Sequence, residues 1–186
     1  MLLNSKIVNK GWKLKPFNLL SVQGENLDQE RLFKYNGLVI AFICNHCPYV
    51  KDIISRIVLD FKELANMDVG TVAIMPNDTE SYPEDSYENM KTFSKENNFS
   101  FHYLIDKNQE VAKTYNAICT PDFFCFDKNK ELFYRGRLDN LKYKSKNLLS
   151  REKNLVDAFK LKISKGLTVE KQYSSIGCSI KWKKNQ

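Results

Sequence analysis

The sequence predicts an α/β fold in which helices flank a central mixed β-sheet. Two short apolar runs, 38–43 and 69–75, have the composition of strands covered on both faces. Between them, apolar residues recur at helical spacing from Ile53 to Ala65. A helix between two buried strands indicates a crossover connection, so these two strands are expected to lie parallel in one sheet.

The remaining elements follow the same alternation, without an internal repeat. Residues 12–20 indicate an extended N-terminal segment, and a turn at Gln23-Gly24 leads into a polar stretch that ends at Gly37. We expect one domain over 1–166, and an irregular C-terminal tail over 167–186 that packs on it. The later predicted elements are a loop at 78–83, a helix at 84–97, a strand at 103–105, a helix at 110–115, a hairpin of strands 122–127 and 131–134, and a closing helix at 148–165.

Two cysteines lie where the first buried strand gives way to its helix. Cys44 and Cys47 are three positions apart, which lets their sulfurs meet, and Pro48 suits the first turn of a helix. The free N–H groups and partial positive charge of a helix N-terminus lower the pKa of a nearby cysteine. His46 adds a further source of positive charge. The spacing therefore predicts a redox-active dithiol.

A C-x-x-C motif also occurs in zinc sites and in pairs of inert buried thiols. A zinc ribbon or finger needs a second pair of ligands at a characteristic spacing, and the next cysteine, Cys119, stands alone and far along the chain. Free cysteines are often buried without any chemical role. Redox use is the preferred interpretation, and no metal or other cofactor is expected.

Composition limits the other classes of function. The chain has 186 residues, of which 42% are hydrophobic, and its net charge of +7 comes from scattered lysines. No segment interleaves basic with aromatic residues as nucleic-acid binding would require, and no stretch could span a bilayer. Without a secretory signal, a cytoplasmic location is expected, where five cysteines are better interpreted as free or catalytic than as a disulfide framework.

The order of elements matches the thioredoxin fold. In that fold a cis-proline faces the C-x-x-C just before the hairpin, and Thr120-Pro121 occupies this position. The backbone of the preceding residue could then pair with an extended partner chain beside the reactive sulfur. The expected partners are a protein or small-molecule disulfide and a dithiol reductant.

Four segments carry a resemblance to a known family, namely 42–50, 119–124, 134–139 and 177–182. On these segments the chain resembles the thioredoxin-like branch of the AhpC/TSA (peroxiredoxin-like) family, from about Trp12 to Trp182. This resemblance implies a thiol–disulfide oxidoreductase or a thiol peroxidase.

The resemblance implies two assignments of the nucleophile. In the thioredoxin register, Cys44 attacks and Cys47 resolves the mixed disulfide. In the peroxiredoxin register, Cys47 is peroxidatic, but Cys44 replaces the expected threonine and Pro121 falls in the place of the arginine. Without those donors, peroxide reduction loses its main source of rate. We therefore expect thiol–disulfide exchange, with peroxide reduction through Cys47 as one alternative and a non-catalytic redox sensor or metal-binding protein as another.

Other positions depart from thioredoxin or add thiols. Leu38 stands where thioredoxins carry a buried aspartate that assists proton transfer, so a general base must come from elsewhere. Cys119 precedes Pro121 by two residues, and the resemblance places Cys178 in a recurring tail motif. A contact between these two thiols, or a relay from them to Cys44, is one hypothesis, and inert packing of both is the other.

Overall fold

The computed structural model describes residues 1–6, 11–145 and 147–184. The strands are β1 (Leu2–Asn4), β2 (Asn18–Ser21), β3 (Asn26–Asp28), β4 (Leu38–Phe42), β5 (Gly70–Met75), β6 (His102–Ile105), β7 (Cys119–Thr120), β8 (Asp122–Phe126), β9 (Leu132–Gly136) and β10 (Ile176–Ser179). The helices are α1 (Gln29–Leu32), α2 (Pro48–Asn66), α3 (Tyr87–Glu96), α4 (Glu110–Thr114) and α5 (Asn154–Lys165).

A mixed sheet forms the centre of the molecule, as predicted, and it has seven strands. Its strand order is β3-β2-β6-β5-β4-β8-β9. Strands β4, β5 and β6 are parallel, which fits the helical connections between them, whereas β8 pairs antiparallel with β4 and with β9. The predicted hairpin is therefore present, and it places β8 directly beside the strand that leads to the dithiol.

Strand β4 is buried on both faces, which explains its continuous apolar sequence. Alternate side chains of a strand point to opposite faces, so each face must find its own apolar partners. One face packs against α2 and α5, and the other packs against α4 and the N-terminal segment. The first core contains Val39, Ala41 and Ile43, and the second contains Leu38, Ile40 and Phe42.

Helix α2 carries the dithiol at its start, and its apolar face fixes its position. Ile57, Phe61 and Leu64 are fully buried, at the helical spacing that the sequence shows. Pro48 occupies the first turn, where a missing N–H costs nothing because that group has no partner within the helix. The strand and the helix together hold the connecting segment 43–47 between two rigid elements.

The closing helix begins later than the sequence predicted. A single 3-10 turn covers Leu148–Ser150, and α5 starts only at Asn154. Leu148 and Leu149 are exposed, so these apolar residues extend the sequence pattern without belonging to a buried face. The predicted polar helix is also shorter, because Pro83–Asp85 forms a separate 3-10 turn before Ser86 caps α3.

The C-terminal tail is not irregular throughout, which corrects the prediction. Strand β10 lies between β1 and β7 in a second, three-stranded sheet. β10 has only four residues and includes Gly177, so it lacks the length and the alternation that identify a strand in sequence. Within the described residues, no helix has the length and apolar character needed to cross a bilayer.

Candidate active site

The predicted site residues come together at the end of β4. Cys44 follows this strand, and Cys47 is the N-cap residue of α2. Thr120 ends β7, and the Thr120-Pro121 peptide bond is cis, as the sequence predicted. Both sulfurs are buried, with 1% of Cys44 and 0% of Cys47 exposed, so exposure does not distinguish an attacking from a resolving thiol.

Thr120 contacts both sulfurs. Its hydroxyl oxygen lies 3.3 Å from Sγ of Cys44, and its carbonyl oxygen lies 3.2 Å from Sγ of Cys47. The structure contains both cysteines as free thiols. The two sulfurs therefore share one neighbour, whose hydroxyl can donate to a thiolate and whose carbonyl can accept from a thiol.

The hydrogen bonds around the dithiol favour Cys47 as the thiolate. The thiol of Cys44 donates to Cys47, and the backbone N–H groups of Cys178 and Val50 and the thiol of Cys178 also point to its sulfur. Together these donors outweigh burial and lower the pKa of Cys47 to about 5. The N–H of Val50 is one of the free groups of the first helical turn, as expected at an N-cap position.

One contact opposes this ionisation. A thiol at Cys47 can donate to the carbonyl oxygen of Thr120, and a thiolate cannot. The donors outnumber this single acceptor, so we assign the negative charge to Cys47. The hydrogen bond to Cys47, burial and the negative charge of Asp85 all raise the pKa of Cys44, which therefore keeps its proton. This distribution is the reverse of the one expected from the thioredoxin register.

Asp85 is a site residue that the sequence did not reveal. It is fully buried, and its Oδ2 lies 2.6 Å from Nδ1 of His46 and 2.8 Å from the side-chain Nδ2 of Asn77. Its Oδ1 accepts from the backbone N–H groups of Asn45 and His46 at 2.8 and 3.2 Å. The carboxylate thus holds the segment between the two cysteines in place.

The pairing with Asp85 favours the positively charged form of the His46 imidazole. The hydrogen bond to Asp85 raises the pKa of His46 above its ordinary value, and this effect exceeds the opposing effect of burial. Burial alone would raise the pKa of Asp85, but the hydrogen bonds from His46 and Asn77 bring it below the usual range. Asp85 lies 41 residues after Cys44 in a 3-10 turn, and no local sequence signal indicates that this turn folds back over the dithiol.

Cys119 and Cys178, the two further cysteines that the sequence analysis singled out, differ in their relation to the site. Cys178 lies opposite Thr120 in the β10–β7 pairing, and Ser179 lies opposite Cys119. Because neighbouring residues of a strand point to opposite faces, this register places Cys178 on the face of Thr120 and turns Cys119 to the other face. Cys119 is buried, and burial raises its pKa. The register favours a contact of Cys178 with Cys47 over one with Cys119.

A buried ion pair supports the loop that carries Pro121. Nη2 and Nε of Arg135 lie 2.7 and 3.2 Å from Oδ2 of Asp122, and the guanidinium stacks over the ring of Phe124. Asp122 is 0% exposed. In the described part of the chain, no arginine hydrogen-bonds to Sγ of Cys44 or Cys47. Arg135 therefore serves the structure of the hairpin and does not contact the dithiol.

One group of side chains has the residue types of a metal site. The ligand atoms of Cys44, His46 and Asp85 lie within 4.8 Å of one another. Both oxygens of Asp85 already accept two hydrogen bonds each, from Asn45, His46 and Asn77. A metal ion would have to displace donors that hold the segment between the cysteines, so this carboxylate fits its role as a hydrogen-bond acceptor better.

A cavity of about 370 Å³ lies beside Pro121. Its walls combine aromatic residues with charged ones, and neither reactive sulfur lines it. It adjoins the dithiol through the proline loop and is large enough for a small organic group. The lining includes Tyr49, Phe123, Arg137, Asp139 and Ile176.

Comparison with known families and structures identifies the class of protein. The sequence model of the AhpC/TSA family matches residues 11–135, and the chain belongs to this family. The family predicted from the sequence motifs is therefore confirmed. A comparison with curated proteins found no match.

Solved structures confirm the thioredoxin-like fold. An uncharacterized conserved protein from Geobacillus kaustophilus is 39% identical, with a TM-score of 0.95, over 100% of this chain and 98% of that one. A secreted Mycobacterium tuberculosis disulfide oxidoreductase homologous to E. coli DsbE is 20% identical, with a TM-score of 0.53, over 62% of this chain and 79% of that one. Peroxidoxin BcpB from Mycobacterium tuberculosis is 16% identical, with a TM-score of 0.57, over 68% and 83%.

Proposed function

We propose that this protein is a thiol–disulfide oxidoreductase in which Cys44 and Cys47 exchange with a disulfide substrate. The observation that carries the proposal is that both free thiols meet at Thr120, with donors arranged to stabilise a thiolate on one of them. The family membership supports a redox role, and a dithiol reductant would restore the reduced form.

In the proposed reaction, the Cys47 thiolate attacks a sulfur of the substrate disulfide. A mixed disulfide forms, and the other substrate sulfur leaves as a thiolate that takes a proton from the solvent. Cys44 then loses its proton and attacks Cys47, which releases the second substrate thiolate and forms the Cys44–Cys47 disulfide. That proton leaves to water, because residue 38 is a leucine and the nearby His46 and Asp85 are already paired with each other.

Reduction of insulin disulfides with dithiothreitol as the electron donor tests this proposal. We expect activity in the wild type, its loss in Cys47→Ser, which lacks the attacking thiolate, and lower activity in Cys44→Ser, which lacks one thiol that attacks the mixed disulfide. Cys125→Ala is the matched control, because Cys125 is a buried thiol on β8 in the same core and outside the site. Equal activity in the wild type and in both serine variants would overturn the proposal.

Thiol peroxidase activity through Cys47 is a second candidate. It is supported by the thiolate at a helix N-cap and by the family register that makes Cys47 peroxidatic. The lack of an arginine bonded to either sulfur in the described residues favours a slow reaction, because the developing charge on the peroxide has few donors. Peroxide consumption that survives Cys47→Ser would exclude this activity.

A further inference from the structure

Strand β10 of the tail pairs with the strand edge beside the dithiol. Its backbone runs antiparallel to β7, with Cys178 opposite Thr120, and the N–H of Ile180 donates to the carbonyl of Ile118 at 2.9 Å. A bound polypeptide that added a strand to β7 would need the same backbone groups. The tail therefore occupies the position where an extended disulfide substrate would present its cysteine.

Gly177 allows this close approach. A Cβ atom at this position would lie 2.0 Å from the carbonyl oxygen of Thr120 and 2.9 Å from the nitrogen of Pro121. Both atoms belong to the backbone and could yield only if the strand moved away. A side chain at position 177 would thus separate β10 from β7 and remove Cys178 from its place.

Cys178 is held close to Cys47. It lies opposite Thr120, whose carbonyl oxygen is 3.2 Å from Sγ of Cys47, and its side chain packs against the core cluster that contains Cys44 and Cys47. Hydrogen bonding from Cys178 also lowers the pKa of Cys47. Cys178 is less buried than Cys44 or Cys47. A third thiol is thus held next to the sulfur to which we assign the negative charge.

We propose that Cys178 is a second resolving thiol, which attacks the mixed disulfide on Cys47 in competition with Cys44. This inference rests on the proposed function. Cys178 loses its proton to the solvent, and its sulfur forms a bond to Sγ of Cys47. The bond between Cys47 and the substrate sulfur breaks, and the substrate leaves as a thiolate. The two electrons end on the substrate, and a Cys47–Cys178 disulfide remains.

The change of charge on Cys47 makes this step feasible. In the reduced protein, burial raises the pKa of Cys178 to about 11, with the help of the hydrogen bond and the negative charge of Cys47. Once Cys47 is part of a mixed disulfide, it carries no charge and accepts no such bond, so only burial still opposes ionisation of Cys178. The third thiol thus becomes a better nucleophile when Cys47 has reacted.

Oxidised glutathione applied to a Cys44→Ser variant tests the inference. Attack by Cys47 first attaches one glutathionyl group, and Cys178 then displaces it. We expect mass spectrometry to show an internal Cys47–Cys178 disulfide in this variant, and its loss in Cys44→Ser/Cys178→Ser, where the glutathionylated protein accumulates. The Cys44→Ser/Cys125→Ala variant is the matched control and should still form the internal disulfide.

A second variant tests the role of the strand pairing. Cys44→Ser/Gly177→Val retains all groups that react, and we expect less internal disulfide and more glutathionylated protein. If Cys44→Ser itself accumulates glutathionylated Cys47 while Cys178 stays a free thiol, the inference is overturned and the proposed function stands. If Cys47 does not react with oxidised glutathione even in the wild type, both are overturned.

Discussion

Replacement of Cys44 by alanine should raise the pKa of Cys47. The hydrogen bond from the Cys44 thiol is the largest cause of the lowered value of about 5. A hydrogen bond to a charged group contributes about 1.5–3 kcal/mol, which corresponds to about 1–2 pKa units. At pH 6, a pKa of 5 leaves roughly nine tenths of the sulfur as thiolate, and a pKa of 6–7 leaves roughly one half to one tenth.

Alkylation by iodoacetamide between pH 4 and pH 9 measures this change. Only the thiolate reacts, so the rate at Cys47 should rise with pH through its pKa, and at pH 6 it should fall roughly two- to tenfold in Cys44→Ala. Mass spectrometry of the Cys47 peptide separates this reaction from alkylation at Cys178. Cys44→Ser is the matched control, because its hydroxyl can still donate.

The result that would refute this reasoning is an ordinary cysteine titration at Cys47. If the wild type and both variants all showed a midpoint above pH 8, the donors at the helix N-cap would not control ionisation. If Cys44 were instead alkylated at low pH in the wild type, the negative charge would lie on the other sulfur.

Two further predictions concern the groups around the dithiol. Asp85→Asn should lower the pKa of His46 toward its ordinary value, because the carboxylate that stabilises the imidazolium is lost; an unchanged titration in nuclear magnetic resonance spectra would contradict this. Arg135→Leu should destabilise the fold by about 3–5 kcal/mol in denaturant unfolding, because Asp122 is left buried without its partner. Asp122→Asn in the Arg135→Leu background should recover part of this loss, and a cost below about 1 kcal/mol for Arg135→Leu alone would show that the pair is not needed.

The sequence predicted the elements whose signals are local. The apolar run of β4 and the helical spacing that follows it specify a strand, a helix and their junction within about 30 residues, so the position of Cys44 and Cys47 followed from short-range patterns. Thr120-Pro121 was placed opposite them through the order of elements. These predictions depend on the apolar character and the periodicity of each segment, and both can be seen in the residues of that segment alone.

The environment of the dithiol depends on contacts that no local pattern encodes. Asp85 reaches the segment between the cysteines from a 3-10 turn, and Cys178 reaches Cys47 from a four-residue strand more than 130 positions away. A single buried carboxylate or a short strand at the end of a chain resembles an ordinary surface loop in sequence. The C-x-x-C motif alone therefore does not predict which thiol ionises.

Which of the two sulfurs carries the negative charge depends on such distant contacts. The thioredoxin register favours Cys44 because the first cysteine is the exposed one in that arrangement, but here both are buried. What distinguishes them is the number of donors, and two of the four at Cys47 come from Cys178. Without these two, Cys47 would keep Val50 and Cys44 as donors, while the hydroxyl of Thr120 would still favour a thiolate at Cys44. The position of the tail strand therefore contributes to which cysteine carries the charge, and the same strand holds the thiol that we propose as a second resolving group.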